Sequence, residues 1–507
     1  MKIAFRTDAS NHIGTGHFMR CLTLANEFKK QGAQIRFISR NLPSYLSDLL
    51  EAKGLEYIPL NTVERQKSTD ELVYSSWLGT SQTRDAQETL EALANQLWDW
   101  LVVDHYALDK RWETAVRGSC KKVMVIDDLA DRQHDCDVLL DQNFYVDMHT
   151  RYIDKVPTHC QLILGPRYAL LREEFRALRE RVKVRTGDVK KILVFFGGVD
   201  AENYTSLAIQ ALAELNITLQ VDVVIGFQHP NRDQIKQACI AYGFICHIQT
   251  TRIAELMSEA DLAIGGGGTA TWERCCFGLP TISFCLAENQ RKLIADAALA
   301  GLLYAPISKR NMVEVIRDHV DSLLENPVLI KLISNTAMKF VDGKGSLRIL
   351  TAMKIDSIEI KQAGKDDLKN IFEWRNNKKI RDVSINSAPI SWDEHQRWFD
   401  AVLTNKNCLL VIGTTGNKTV GVARFDIANI EAEVSIYLVP DGGFAGHGHN
   451  LLMSAERWLN AKRPEIKHIY ASVLPKNDTS KNLFLASGYH ENKIRYQKTF
   501  EITNDYC

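Results

Sequence analysis

The feature that most constrains this chain is an apolar run that empties into four consecutive glycines. Leu262-Ala263-Ile264 leads into Gly265-Gly266-Gly267-Gly268, and a helical pattern starts at once with Thr269-Ala270-Thr271-Trp272-Glu273. A strand that turns through glycines into a helix presents bare N–H groups at the positive end of the helix dipole. Such a turn can hold phosphate without a lysine. No Gly-Lys-Ser/Thr follows, so this is not a P-loop, and the spacing and acidic residue of the dinucleotide fingerprint are also missing. Glu273 stands about one turn into the helix, spaced to accept hydroxyl donors from a ribose. Gly278-Leu279-Pro280 then stops the helix before another apolar run, Thr281–Phe284.

The same grammar recurs. Ile192–Phe196 runs into Gly197-Gly198, a second place for close approach to an anion, and Val221–Ile225 ends at Gly226. Earlier, apolar runs at Lys2–Phe5, Ala33–Ile38, Trp100–Val103 and Lys122–Ile126 are interspersed with helical patterns. Strands alternating with helices predict an α/β fold with parallel sheets and right-handed crossovers. We therefore expect two Rossmann-like lobes, residues 1–165 and 166–354, with a cleft between them. Asp342–Ser346 reads as a turn and Leu347–Met353 as a closing helix. Beyond it the pattern changes: strands at Leu409–Ile412, Thr419–Phe425 and Glu433–Val439, with helices at Asp393–Leu403 and Asn450–Asn460, predict a separate α+β domain over 357–507.

The first strand is followed by Ile13-Gly14-Thr15-Gly16-His17 and a helical pattern over Phe18–Phe28. His17 thus places an acid/base group of near-neutral ordinary pKa where an anionic substrate would sit. Arg6 and Asp8, at the end of the same strand, are expected either to contact substrate or to form structural pairs. Asp127-Asp128 has the look of a metal-ligand pair, but a solvated strand end is expected there and no metal.

Charge and cysteine usage narrow the function classes. Lys plus Arg and Asp plus Glu both number 62, so the net charge is zero, which argues against a nucleic-acid surface or a polybasic membrane patch. No apolar stretch approaches the roughly 18–20 residues that span a bilayer, and the short N-terminal apolar run, interrupted by Arg6 and Asp8, is not read as a signal peptide. The eleven cysteines are scattered without a C-x-x-C pair, which predicts free thiols in a reducing cytoplasm. Nothing in the composition marks an oligomeric state.

Several motifs occur in an order that resembles a known family. They are Ile13–His17 with Met19-Arg20, Asp104-His105-Tyr106, Gly165-Pro166 with Tyr168-Ala169-Leu170, Arg172–Phe175, and Gly268–Glu273 with Asn289-Gln290. Over about 1–353 the chain resembles the UDP-sugar hydrolases of pseudaminic acid biosynthesis, which are similar in fold to two-lobed GT-B glycosyltransferases of the MurG type. The resemblance implies that the second lobe binds UDP, with Glu273 at the ribose and Gly197, Gly198, Gly268 and Thr269 around the pyrophosphate. Asn289 and Gln290 would face the sugar, with Gly14 and Gly16 making room for it. It also implies that His17 is the catalytic acid/base and Tyr106 its companion, with water attacking the anomeric carbon of UDP-2,4-diacetamido-2,4,6-trideoxy-β-L-altropyranose. The turn alone would serve a transferase equally well.

Glu433–Leu438 followed by Gly443-Phe444-Ala445-Gly446-His447-Gly448-His449 and a helix, then Val473, Asn477, Ser480, Phe484 and Gly488-Tyr489, resembles the GNAT N-acetyltransferases over about 357–503. Trp374-Arg375-Asn376 and Ile390-Ser391 with His395 further resemble the acetyltransferase of the same pathway. The resemblance implies acetyl-CoA as co-substrate, its pyrophosphate held by the 443–448 loop and its approach flanked by Asn477 and Ser480, with Glu433 as a candidate base. Two departures stand out: Gly443 replaces the usual Gln or Arg, and Phe484 occupies the position often held by a tyrosine general acid. His447 and His449 lack a third ligand, so no metal is expected. The expected whole is a bifunctional enzyme that acetylates a UDP-4-amino sugar and then hydrolyses the product. The rival readings are a GT-B glycosyltransferase fused to an acetyltransferase of other specificity, protein N-termini among its acceptors, and a UDP-sugar-binding protein with a degenerate acetyltransferase.

Overall fold

The computed structural model describes residues 1–10, 13–61, 70–198, 200–215, 219–308, 310–354, 358–384, 386–415, 418–442, 444 and 447–490. The chain divides into two compact units, Met1–Leu350 and Thr351–Cys507.

The first unit holds two parallel sheets. One contains β1 (Lys2–Thr7), β2 (Gln34–Ser39), β3 (Glu56–Pro59), β4 (Trp98–Asp104), β5 (Cys120–Ile126), β6 (Val138–Asp141) and β7 (Gln161–Leu164), in the order β3-β2-β1-β4-β5-β6-β7. The other contains β8 (Lys191–Phe195), β9 (Gln220–Ile225), β10 (Ile245–Ile248), β11 (Leu262–Gly266) and β12 (Thr281–Phe284), in the order β10-β9-β8-β11-β12. All pairings within both sheets are parallel. The near-continuous apolar strands follow from burial on both faces: Ile3, Ala4 and Phe5 are fully buried, as are Ile192, Val194, Leu262 and Ile264.

Strand order reverses between β1 and β4 in the first sheet and between β8 and β11 in the second. Ligands of open parallel sheets bind beyond the carboxyl ends at such switch points. His17 follows β1 and Tyr106 follows β4, while Gly197-Gly198 follow β8 and the four glycines close β11. Both motif sets therefore stand where their sheets open.

The second unit is a mixed five-stranded sheet of β13 (Glu359–Gln362), β14 (Cys408–Thr415), β15 (Lys418–Ala428), β16 (Glu431–Leu438) and β17 (His468–Tyr470), in sequence order. The first three pairings are antiparallel and β16–β17 is parallel. One face packs on the Gly448–Lys462 helix through Leu452, Ala455 and Leu459, and the opposite face on Ile371, Phe399 and Val402. The helix Gly345–Lys354 straddles the division between the two units, so the break falls within the predicted closing helix rather than after it.

Candidate active site

The helix that follows β1 runs Gly16–Lys29, two residues earlier than the hydrophobic pattern predicts, so His17 lies inside its first turn. Gly14 has φ +77° and donates its N–H to the Ser10 carbonyl at 2.7 Å, a backbone geometry that suits glycine. His17 Nδ1 lies 2.6 Å from Asp104 Oδ1. Arg20 Nε donates to Asp104 Oδ2 at 2.6 Å, and Arg20 Nη2 to Oδ1 at 2.7 Å. Burial of Asp104 opposes its ionisation, yet Arg20 and His17 hold its carboxyl well below the usual range. A carboxylate only accepts, so Nδ1 carries a proton, and of the two neutral tautomers this selects the one with its lone pair on Nε2. Arg20 Nη2 lies 3.1 Å from the same Nδ1, but two N–H groups cannot bond each other.

Arg20 also reaches Asp128, Nη1 to Oδ2 at 3.1 Å. Asp128 accepts from the Tyr106 hydroxyl and, at 3.2 Å, from Asn143 Nδ2. Burial and then the nearby Asp128 carboxylate push the Tyr106 phenol well above its ordinary pKa, so it stays a proton donor. Asn143 in turn accepts from the indole N–H of Trp272 at 2.8 Å. Trp272 belongs to the Thr269–Cys276 helix, so a hydrogen-bonded chain runs from the histidine cluster of the first lobe to the glycine-loop helix of the second. An aromatic wall flanks the cluster: Tyr106 meets the His17 ring edge-on at 4.5 Å and Trp77 stacks on Tyr106 at 5.5 Å.

These groups share one cleft. It is lined by Ile13, Gly16, His17, Arg20, Tyr106, Asp128, Gln142, Asn143 and Tyr145 from one side, and by Gly268, Thr269, Asn289, Gln290 and Leu293 from the other. A Cβ built on Gly16 would come within 3.8 Å of Thr269 Oγ1, so the N-termini of two helices converge there. The four glycines are not equivalent. A Cβ on Gly265, Gly266 or Gly267 would strike the Phe195 carbonyl at 2.2 Å, Leu286 at 2.4 Å or Ile294 at 2.6 Å, so these three are fixed by packing. Gly268, at φ +115° and with only Gln290 Nε2 at 3.8 Å, is the one that faces the cleft. Gly197 and Gly198 meet nothing within 4 Å. Glu273 does not line the His17 cleft; its carboxylate lies 3.5 Å from Arg172 Nη2, and burial raises its pKa against that cation.

Two expectations need correcting. Arg6 and Asp8 are fully buried and cannot touch a substrate: Arg6 binds Asp8 at 2.7 Å and Asp85 at 2.7 Å, and Asp8 lies 3.2 Å from His105 Nε2. They are structural pairs, because Asp85 and Arg40 close around them from other elements. Asp127-Asp128 is not a solvated strand end either. Asp127 is fully buried, 2.9 Å from Arg132, and Asp128 belongs to the cleft cluster. Asn143 and Trp77 carry no sequence motif, nor does Tyr74, whose ring lies 4.7 Å from Trp77 and 5.2 Å from Tyr106; Asp104 and Arg20 stand in recognisable motifs that assign them no role.

In the second unit Glu433 is exposed on β16 and accepts from Ser472 Oγ at 2.5 Å. Gly443, Ala445 and Gly446 lie outside the described residues. Of the remaining loop, Phe444 packs edge-on to His447 at 5.5 Å, and Gly448 opens the helix against Leu483, 3.3 Å from a built Cβ. Asn477 Oδ1 accepts from the Ser480 N–H at 3.0 Å, so Asn477 caps the Asp478–Ala486 helix. Phe484 is buried in the core, 5.0 Å from the Tyr489 ring, whose hydroxyl is engaged by Glu456 at 2.5 Å. Among the described residues there is no group of three or more His, Cys, Asp or Glu placed to hold a metal, and no helix long and apolar enough to cross a membrane.

The fold defines a class: a GT-B-like body of two Rossmann-like lobes with a C-terminal domain of the GNAT type. The acetyltransferase (GNAT) domain family matches residues 358–490. A UDP-glucosyltransferase from Polygonum tinctorium shares the two-lobed fold, with a TM-score of 0.50 over 70% of this chain and 98% of its own at 11% identity. Among relatives, the chain is similar to the UDP-2,4-diacetamido-2,4,6-trideoxy-β-L-altropyranose hydrolase of Campylobacter jejuni, 27% identical over 303 residues, which cover 59% of this chain and 97% of that protein. It is also similar to an uncharacterised protein of Methanocaldococcus jannaschii, 23% identical over 97% of both chains.

Proposed function

We propose that the first unit hydrolyses a UDP-linked diacetamido-trideoxy sugar to UDP and free sugar, and that the GNAT domain acetylates the 4-amino precursor of that substrate from acetyl-CoA. The observation that carries the hydrolase reading is the His17–Asp104–Arg20 cluster in one cleft with Gly268 and Thr269. The similarity to the Campylobacter hydrolase across its whole length supports the choice of substrate.

In this reading the diphosphate lies at Gly268, Thr269, Gly197 and Gly198, and Glu273 meets the ribose hydroxyls. The sugar extends toward Gly16, Asn289 and Gln290. His17 Nε2 takes a proton from water as its oxygen bonds to the anomeric carbon, the C–O bond to UDP breaks, and the configuration inverts. UDP is a good leaving group, so base catalysis, typically worth about 10²–10⁴-fold, matters more than acid catalysis. Asp104 stabilises the imidazolium that forms, and Tyr106, donating to Asp128, walls the water's side of the ring.

In the acetyltransferase the amine attacks the thioester carbonyl, Glu433 removes the ammonium proton directly or through water, and the CoA thiolate leaves to be protonated. Placing both steps on one chain raises the local concentration of the intermediate if the two sites can exchange it. The experiment is incubation with the UDP-sugar and no acceptor: UDP release at full rate supports hydrolysis, and release only on adding a sugar acceptor refutes it.

A further inference from the structure

Arg274 follows Glu273 in the glycine-loop helix, and its side chain is 1% exposed. Nη2 donates to the Gly266 carbonyl at 2.7 Å. Nη2 also lies 3.5 Å from Thr271 Oγ1, Nε and Nη1 are buried with no acceptor, and among the described residues no carboxylate lies within ion-pair distance, Glu273 being turned to Arg172. A Cβ built on Gly265 would lie 3.0 Å from Nη1 and 2.2 Å from the Phe195 carbonyl. The guanidinium therefore sits directly behind the first of the four glycines, at the end of β8, where the chain turns into Gly197-Gly198.

The fold satisfies a buried arginine elsewhere in the same lobe. Arg185 spreads its three nitrogens over the carbonyls of Lys183, Met257, Ser258, Ala260 and Phe277. Burial lowers the pKa of both guanidiniums, but Arg185 has five carbonyls to donate to, whereas at Arg274, lowered to about 10, Cys275 and the Glu273 carboxylate offset the desolvation only in part and two of its nitrogens have no acceptor. A buried, uncompensated cation is costly unless an anion arrives to complete it.

We infer that Arg274 is the resident counter-charge of a diphosphate held at the two glycine turns, acting through the thin Gly265–Gly268 backbone rather than by contact. The inference rests on the reading that this lobe binds a nucleoside diphosphate, and it adds the group that matches its charge. Across a low-dielectric loop such a charge is screened far less than a surface lysine would be.

A counter-charge and a packing residue differ in the sign of what their removal does. Titration calorimetry and thermal melting of the full chain, with UDP, inorganic pyrophosphate and uridine as probes, separate them in R274M and R274K. The inference predicts that R274M melts no lower than the parent and binds uridine equally, but binds UDP and pyrophosphate at least about tenfold more weakly. R274K, which keeps the charge, should stay within about threefold for UDP. Unchanged UDP affinity in R274M, equal losses for UDP and uridine, or loss of the fold would each overturn the inference. A parent chain that binds UDP without hydrolysing its sugar ester would refute the hydrolase reading and leave this inference standing. One that binds neither UDP nor pyrophosphate would end both.

Discussion

His17 Nδ1 and Asp104 Oδ1 lie 2.6 Å apart, and Arg20 binds both oxygens of that same carboxylate. The carboxylate fixes the tautomer, and Arg20 keeps the carboxylate ionised. Asp104→Asn removes the charge that stabilises the imidazolium and offers Nδ1 a donor as readily as an acceptor. We expect kcat for UDP release to fall by about 10²–10⁴, with KM nearly unchanged, because the interaction strengthens only as the imidazole gains its proton. Steady-state kinetics with the UDP-sugar checks it.

The buried Arg6–Asp85 pair makes a contrasting prediction. Asp85 accepts from Arg6, Arg40 and the Trp112 indole, all at 0–4% exposure. Asp85→Asn leaves two buried guanidiniums under-compensated and should cost about 3–5 kcal/mol of stability in urea unfolding. Because neither Arg6 nor Asp8 reaches the cleft, the KM for the UDP-sugar should not move.

His134 sits between Glu113, at 2.8 Å, and Asp127, at 3.9 Å. Burial disfavours its charge, but these carboxylates prevail and raise its pKa from 6.5 to about 9. A raised pKa gives stability that is complete below pH 6.5 and lost as pH climbs through 9. The loss over that window should be roughly 3 kcal/mol at most. Denaturant midpoints measured from pH 6 to 10 should fall accordingly, and His134→Gln should flatten the slope.

For the acetyltransferase, Glu433→Gln keeps the hydrogen-bonding shape toward Ser472 but cannot accept the ammonium proton. Acetyl transfer to the amino sugar should drop about 10²-fold or more at neutral pH, while UDP release from an already acetylated UDP-sugar continues at the parent rate. Thiol release from acetyl-CoA reports the first activity, and nucleotide chromatography the second.

What the sequence made legible was local. Apolar runs mark strands and the residues after them mark the loops at their carboxyl ends, which is why the positions of His17, Tyr106, Gly197-Gly198 and Gly268 after strands are legible; that those strands flank the switch points is not, because it depends on strand order. What stayed hidden depends on residues far along the chain. Gly265–Gly267 look identical to Gly268 until Phe195, Leu286 and Ile294 close on them. Arg6 and Asp8 look like cleft residues until Asp85 arrives from a helix about 80 positions later. Short or partly polar strands such as Glu56–Pro59 and Val138–Asp141 lack the length that makes an apolar run conspicuous. Asn143 has no motif at all; its role exists only because Asp128 and Trp272 meet there.

The central claim is that His17 aims water at the anomeric carbon of a UDP-sugar that the same chain has acetylated. Proton and phosphorus NMR of the full chain with the UDP-4-amino sugar and acetyl-CoA follows every species at once. The account predicts acetylated UDP-sugar first, then UDP and free sugar of inverted anomeric configuration, with His17→Leu stopping after the first step. Release of free sugar with retention, or an undiminished second step in His17→Leu, would contradict it.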